Sequence, residues 1–308
     1  MEQDFVKNQN PSCKGKWLLV GLLATLLAVC VLLVLRIRST APQAEAPLPA
    51  FSEDRAMDVW FLDVGQGDSI LIRSPRGKTM LVDGGIAESA DTILNQLDAL
   101  GIDTIDLLIC THCHYDHIGG IPAVINHCKI KKAYFPLHYR EEDYSQVISA
   151  LEKQRVSPKA LTASMTADLQ LDSAVSIQVL SPMDVEYDSE NERSLVLRII
   201  YENTSILLTG DAGALAEKLM LKAFPDRMLA STVLKLGHHG SFSSTTRSFL
   251  SAVKPGIAVA SCGKNNAYGH PDPSVQALLK EFQIPLFTTA DYGTIHLMLD
   301  GHTVRVVK

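Results

Sequence analysis

Within ten residues, Thr111-His112-Cys113-His114-Tyr115-Asp116-His117-Ile118-Gly119-Gly120, the chain places three imidazoles and a carboxylate. Neutral imidazole and carboxylate are the donors that Zn²⁺, Mn²⁺ and Fe²⁺ accept. In so compact a loop His112 and His114 can serve one ion, and Asp116 and His117 a second one nearby. Two later segments can complete such a centre: Thr209-Gly210-Asp211, whose carboxylate can bridge two ions, and Gly237-His238-His239-Gly240-Ser241. A pair of divalent ions lowers the pKa of a shared water toward neutrality and stabilises a developing oxyanion. The chemistry indicated is therefore hydrolysis, with Asp116 and Asp211 at its centre. His238, His239 and His270 are candidates for holding a phosphate oxygen or protonating a leaving group. His127, His296 and His302 read as isolated, non-ligand histidines, and His138 is left open. Cys110 and Cys113 bracket the loop as small packing residues.

The elements that must position these residues follow from periodicity. Met57 to Ile72 reads as two strands joined at Gly65-Gln66-Gly67-Asp68, and Lys78 to Val82 as a third, stopped by Asp83-Gly84-Gly85. Apolar residues at helical spacing run from Glu88 to Leu100, and Glu141 to Arg155 is also read as helical. Asp106 to Cys110 is a short buried strand that runs straight into the histidine loop, with a helix from Gly120 to about His127. Further strands are expected at 175–180, 195–201, 205–208, 233–236 and 257–260. Helices are expected at 212–224 and near 274–282, and the tail from 286 to 307 is strand-rich. All three metal-type segments fall at the C-terminal end of a strand, where open α/β sheets gather their ligands. Strand clusters interleaved with helices give an α/β fold of sheets covered by helices.

These segments resemble the metallo-β-lactamase superfamily, whose HxHxDH signature the loop matches. They are closer still to the hydrolase domain of ComEC/Rec2-type competence proteins. The blocks that carry the likeness are FLDVGQGD (61–68), DGG (83–85), SLVL (194–197), LLTGD (207–211), GHHGS (237–241) and YGHP (268–271), in that order. The resemblance covers about 57 to 299. It implies an αββα sandwich with a dinuclear site between the sheets. It places His112 and His114 on metal 1, Asp116 and His117 on metal 2, Asp211 between them, and His238 or His239 on metal 2. It gives Asp83 the task of orienting the histidine loop rather than binding metal. The cofactors implied are two divalent ions, Zn²⁺ foremost, with Mn²⁺ or Fe²⁺ as alternatives. The chain departs from the family in two ways. Where the family supplies a third histidine to metal 1, this chain has Leu180-Ser181-Pro182, so metal 1 is expected to be weak, water-filled or rescued by His138. And the competence proteins are polytopic channels, whereas this chain shows one apolar span.

That span, Trp17 to Leu35, holds 19 residues without a charge. At helical rise it is roughly 28 Å long, the thickness of a hydrocarbon core. Arg36 and Arg38 follow it directly, which favours an uncleaved anchor over a signal peptide. Lys7, Lys14 and Lys16 before it place the N-terminus in the cytoplasm and the large domain outside. The expected organisation is a cytoplasmic segment 1–16, an anchor 17–35, an Ala/Pro-rich linker 36–56 and a hydrolase domain 57–308. Residues 1–38 hold five Lys/Arg and two Asp/Glu, which leaves 23 basic against 32 acidic residues, a balance of −9, in the remainder. Composition thus gives no basic surface for gripping nucleic acid through many phosphates. The expected function is a membrane-anchored phosphodiesterase acting on DNA or a phosphorylated surface polymer. The alternatives are hydrolysis of an acyl, thioester or β-lactam bond, and a metal-binding module whose catalysis is weak or lost. No oligomeric state follows from the sequence.

Overall fold

The protein is described by a computed structural model over residue 52, residues 55–163 and residues 169–307. The expected anchor 17–35 and most of the expected linker lie outside these residues. Among the described residues no helix is long and apolar enough to cross a membrane.

Sixteen strands form among the described residues. They are β1 (Met57–Phe61), β2 (Ile70–Arg73), β3 (Thr79–Val82), β4 (Thr104–Ile105), β5 (Leu107–Ile109), β6 (Lys129–Ile130), β7 (Ala133–Pro136) and β8 (Lys159–Leu161). The second half adds β9 (Val175–Ser181), β10 (Val196–Tyr201), β11 (Thr204–Leu208), β12 (Val233–Lys235), β13 (Ile257–Ala260), β14 (Leu286–Thr288), β15 (Ile295–Leu299) and β16 (Val304–Val306). Eight of them make one sheet in the order β16-β15-β1-β2-β3-β5-β7-β8, six make a second in the order β14-β13-β12-β11-β10-β9, and β4 pairs with β6.

The alternation along the strands sets the layers. Met57, Val59 and Phe61 of β1 pack in one apolar cluster with Val175, Ile177 and Val179 of β9 and Leu197 and Ile199 of β10. This is the seam between the sheets. The opposite parity, Trp60 of β1 and Leu108 of β5, packs under the helices Ala90–Ala99, Ile121–His127 and Ser145–Lys153. Leu207, Leu234 and Ala258 of the second sheet pack under Ala214–Ala223, Arg247–Val253 and Pro273–Glu281. β1, β3, β5 and β11 are covered on both faces and buried throughout, and most of their residues are apolar accordingly. The result is the four-layered α/β sandwich that the sequence led us to expect.

β3 and β5 run parallel, as do β11, β12 and β13. β9 lies antiparallel to β10, which lies antiparallel to β11, so Ser181 at the end of β9 reaches the same edge as Asp211 beyond β11. One sheet edge therefore collects Asp83, the histidine loop, Ser181, Asp211 and the His238-His239 pair.

Candidate metal centre

Asp83 organises the histidine loop. It is buried, in the left-handed region at φ 60°. Its Oδ1 accepts the Thr111 backbone N–H at 2.7 Å, and its Oδ2 accepts the Thr111 hydroxyl at 2.6 Å and His117 Nδ1 at 2.7 Å. Because the Thr111 proton goes to Asp83, the Thr111 oxygen is left to accept from His112 Nδ1, 3.2 Å away. With both Nδ1 atoms engaged in this way, the Nε2 atoms of His112 and His117 turn toward Asp211. His117 Nε2 lies 3.2 Å from Asp211 Oδ1, and His112 Nε2 lies 3.7 Å from Asp211 Oδ2.

From the second sheet comes the turn Gly237–Gly240. His238 and His239 both adopt left-handed backbone, at φ 48° and 58°, and this brings both rings to the cleft. Strain of this kind, of order 1–3 kcal/mol per residue, persists where surrounding contacts over-determine it. Here the His238 N–H bonds Gly210 O at 3.0 Å, and His239 Nδ1 donates to Ser261 O at 2.9 Å. His239 Nε2 then lies 3.2 Å from Asp116 Oδ2 and 3.6 Å from Asp211 Oδ1. His238 Nε2 is 3.6 Å from Asp211 Oδ2, with its Nδ1 3.2 Å from Ser243 Oγ.

Two clusters share Asp211. Donor atoms of His112, His114 and Asp211 lie within 4.8 Å of one another, as do those of Asp68, His117, Asp211 and His239. Their character fits divalent cations. His112 Nε2, His117 Nε2 and Asp211 Oδ1 are buried without a hydrogen-bond partner, a costly arrangement unless a cation satisfies them. Burial alone would pull His117 and His239 down. Asp211 and Asp83 instead push His117 well above the ordinary imidazole range, and Asp211, Asp116 and Asp68 push His239 up to about 9. Burial would raise Asp211, but His117 and His239 hold it well below the carboxylate range. A pocket that favours positive charge this strongly, lined by imidazole nitrogen and carboxylate oxygen, suits Zn²⁺, Mn²⁺ or Fe²⁺.

The remaining sequence candidates fall as follows. His114 is exposed, its ring 4.7 Å from that of His112. His270 sits at the open side, its ring 5.6 Å from His238 and 6.3 Å from His239, with Nδ1 3.5 Å from Gln66 Nε2. His138 is exposed and pairs with Asp184 at 2.9 Å, so its ring is not among the atoms gathered around Asp211. Ser181 is buried and its hydroxyl has no hydrogen-bond partner. His127, His296 and His302 face Asp98, Asp58 and Glu202. Cys110, Cys113, Cys128 and Cys262 are free thiols. Burial pushes Cys113 up to about 11, so it is no thiolate donor. The sequence reading missed Asp68 and its partner Lys235. The signal was present as a lysine inside the apolar run Val233-Leu234-Lys235-Leu236 and an acid directly before β2.

Comparison with known proteins agrees with this geometry. The chain is 32% identical over 264 residues to ComE operon protein 3 of Bacillus subtilis, covering 80% of this chain and 33% of that protein. It is 31% identical to competence protein ComA of Neisseria gonorrhoeae over 83% of this chain and 34% of the relative. With recombination protein 2 of Haemophilus influenzae the identity is 30%, over 77% of this chain and 28% of the relative. The chain thus spans about a third of the length of these relatives. Among solved structures, CmlA, a diiron β-hydroxylase from Streptomyces venezuelae, superposes with a TM-score of 0.50 at 13% identity, over 80% of this chain and 54% of that one. That is a likeness of fold alone. The signature of the metallo-beta-lactamase superfamily matches residues 62–264, and with an α/β sandwich and His/Asp clusters compatible with divalent metal, the chain belongs to that superfamily.

Proposed function

We propose that this metallo-hydrolase is a membrane-anchored phosphodiesterase that uses two divalent ions and acts on DNA in preference to a phosphorylated surface polymer. The observation that carries the reading is the sharing of Asp211 between two donor clusters. His112 and His114 would hold one ion, and Asp116, His117 and His239 the other, with Asp211 available to both. When bound, such ions supply a nucleophilic water at neutral pH and draw charge from phosphoryl oxygens. The chain's own residues do the rest. Asp83 and Thr111 fix the tautomers of His112 and His117. Burial holds His238 and His270 below the ordinary imidazole range, so both are neutral at pH 7 on the open side. Each can donate a hydrogen bond to a phosphate oxygen. Asp68, Asp83, Asp116 and Asp211 would repel an anionic substrate unless cations offset them, so a phosphodiester requires the ions for binding as well as for chemistry.

Exposed aromatic rings favour nucleic acid within this class. Tyr115, Phe242 and Tyr268 are 55%, 77% and 72% exposed, and each stands close in sequence to a site residue, His114 or Asp116, His239 and His270 in turn. Apolar rings left in water beside an anion site are the elements on which single-stranded bases stack. The anchoring part of the proposal rests on the uncharged run 17–35. The test is hydrolysis by the metal-loaded full chain in detergent of bis-p-nitrophenyl phosphate, single-stranded DNA, a thioester and nitrocefin. We expect turnover of the first two, abolished by chelation. Preferential turnover of the thioester or nitrocefin would overturn the assignment.

A further inference from the structure

Asp68 and Lys235 are buried charges to which the family resemblance gives no task. Lys235 has no exposed surface and Asp68 is 1% exposed. The Lys235 ammonium rests on Asp68 Oδ2 and lies 3.4 Å from Gly210 O. Asp68 precedes β2 in the eight-stranded sheet, and Lys235 is the last residue of β12 in the six-stranded sheet. Their ion pair therefore crosses from one sheet to the other at the edge where the ligands gather.

The contacts of Asp68 reach every loop of the second cluster. Its N–H donates to Asp116 O at 3.1 Å, and its carbonyl accepts from Gly85 N at 2.7 Å. Its Oδ1 lies 3.4 Å from His239 Nδ1 and its Oδ2 3.9 Å from His117 Nδ1. The approach is close: a Cβ on the preceding Gly67 would overlap the Asp116 carbonyl oxygen. Asp68 belongs to the second donor cluster, with its Oδ1 buried and without a hydrogen-bond partner. Its oxygens face the Nδ1 atoms, which point away from the Asp211 side, and one oxygen is already held by Lys235.

We infer that the Asp68–Lys235 pair is a positioning device for the second ion, setting Asp116 and His117 of one sheet against His239 of the other. The donors of that ion come from both sheets, and this charge pair spans the gap directly behind them. Among the described residues no hydrogen bond or ion pair joins His112 or His114 to either member, so the first ion is less dependent on the pair. The inference rests on the two-ion reading of the site.

The test is Zn²⁺ titration of the full chain by calorimetry and elemental analysis, with Co²⁺ absorption and the histidine nitrogen NMR spectrum as signatures. In Lys235→Met, and in the double variant Asp68→Asn/Lys235→Met, we expect one of two sites to weaken by at least about tenfold and the metal-bound Nε2 signal of His239 to be lost. Lys235→Arg, which keeps charge and donors, should restore both. If Lys235→Met fails to fold, the double variant carries the same reading, because it leaves no unpaired buried charge. Two sites of parental affinity in a folded double variant would overturn the proposal, as would equal weakening of both sites, while leaving the two-ion centre standing. A parent chain that does not bind two ions would overturn both.

Discussion

Ser181 stands where the resemblance expects a histidine, and the structure explains what the substitution does. Along β9 the side chains of Val175, Ile177 and Val179 face the seam between the sheets, but the register shifts before Ser181, which pairs with Val196. Ser181 is buried at the edge that collects Asp211, with a hydroxyl that has no partner. A neutral hydroxyl donates to a metal far more weakly than imidazole. His138 is committed to Asp184 on the surface, which favours direct replacement over rescue. We expect the two sites of the parent to differ in affinity, and Ser181→His to tighten the weaker by at least about tenfold, approaching what one good ligand interaction contributes. Two equal sites in a calorimetric metal titration, unchanged by the substitution, would refute this. The exposed rings permit a second expectation. If bases stack on Phe242 and Tyr268, the double alanine variant should lose about 1–3 kcal/mol of binding per base lost. It would appear as a KM for single-stranded DNA raised tenfold or more, while the KM for an abasic strand of the same length, which has no base to stack, stays unchanged. An equal effect on both substrates would place the rings in the hydrolytic machinery instead.

At the scale of the element, the helix Ala214–Ala223 is tied to the metal edge by two acids. Glu192 caps its start by accepting the Ala216 N–H at 2.8 Å, and Glu217, 2% exposed, accepts the N–H groups of Thr245 at 2.5 Å and Thr246 at 2.8 Å just beyond the His238-His239 turn. Burial outweighs these donors and pushes Glu217 up to about 7. Its folded value therefore lies above its unfolded one, so its contribution to stability is full below about pH 4.5 and is lost as pH rises through 7. From the size of that shift, roughly 1 kcal/mol should disappear between pH 6 and pH 8. Urea unfolding at the two pH values should show this slope in the parent and lose it in Glu217→Gln, whatever offset the variant has. Persistence of the slope in the variant would assign it elsewhere. The long strands and the Ile121–His127 helix were legible because each carries an uninterrupted apolar period and stops at a turn signal. The strands expected at 195–201 and 205–208 leave 202–204 as their connection, and the structure closes it tightly, with Tyr201 paired to Thr204. The short strands β6, β7 and β8 and the helices Arg247–Val253 and Thr289–Tyr292 were not legible. Two to seven residues make too little period to read, and the conformation of the shortest is fixed by neighbours distant in sequence, as β8 is by β7. The histidine loop was legible for its density alone. The Asp68–Lys235 pair was hidden because its members lie 167 positions apart, and only the stacking of the two sheets brings them together.

For the whole molecule, charge distribution and the N-terminal run decide where the hydrolase would work. With −9 carried by residues 39–308, long-range attraction cannot concentrate a polyanion on the domain, and association is slow unless the substrate is delivered. A tether that holds the catalytic edge beside a membrane meets that need, because it raises the effective concentration of any substrate emerging there. The 19 uncharged residues from Trp17 to Leu35 are long enough to be that anchor, and the three lysines before it against two arginines after it bias the N-terminus toward the cytoplasm. We therefore expect the full chain to sediment with membranes and to resist extraction by alkaline carbonate. Protease added to intact spheroplasts should digest the domain, while lysis should be needed to reach a tag placed before Lys7. A protected domain with a digested tag would reverse the orientation. Release of the whole chain by carbonate would remove the anchor from the proposal and leave the hydrolase to meet its substrate by diffusion. The net charge makes that encounter slow at low salt and faster as salt screens the repulsion.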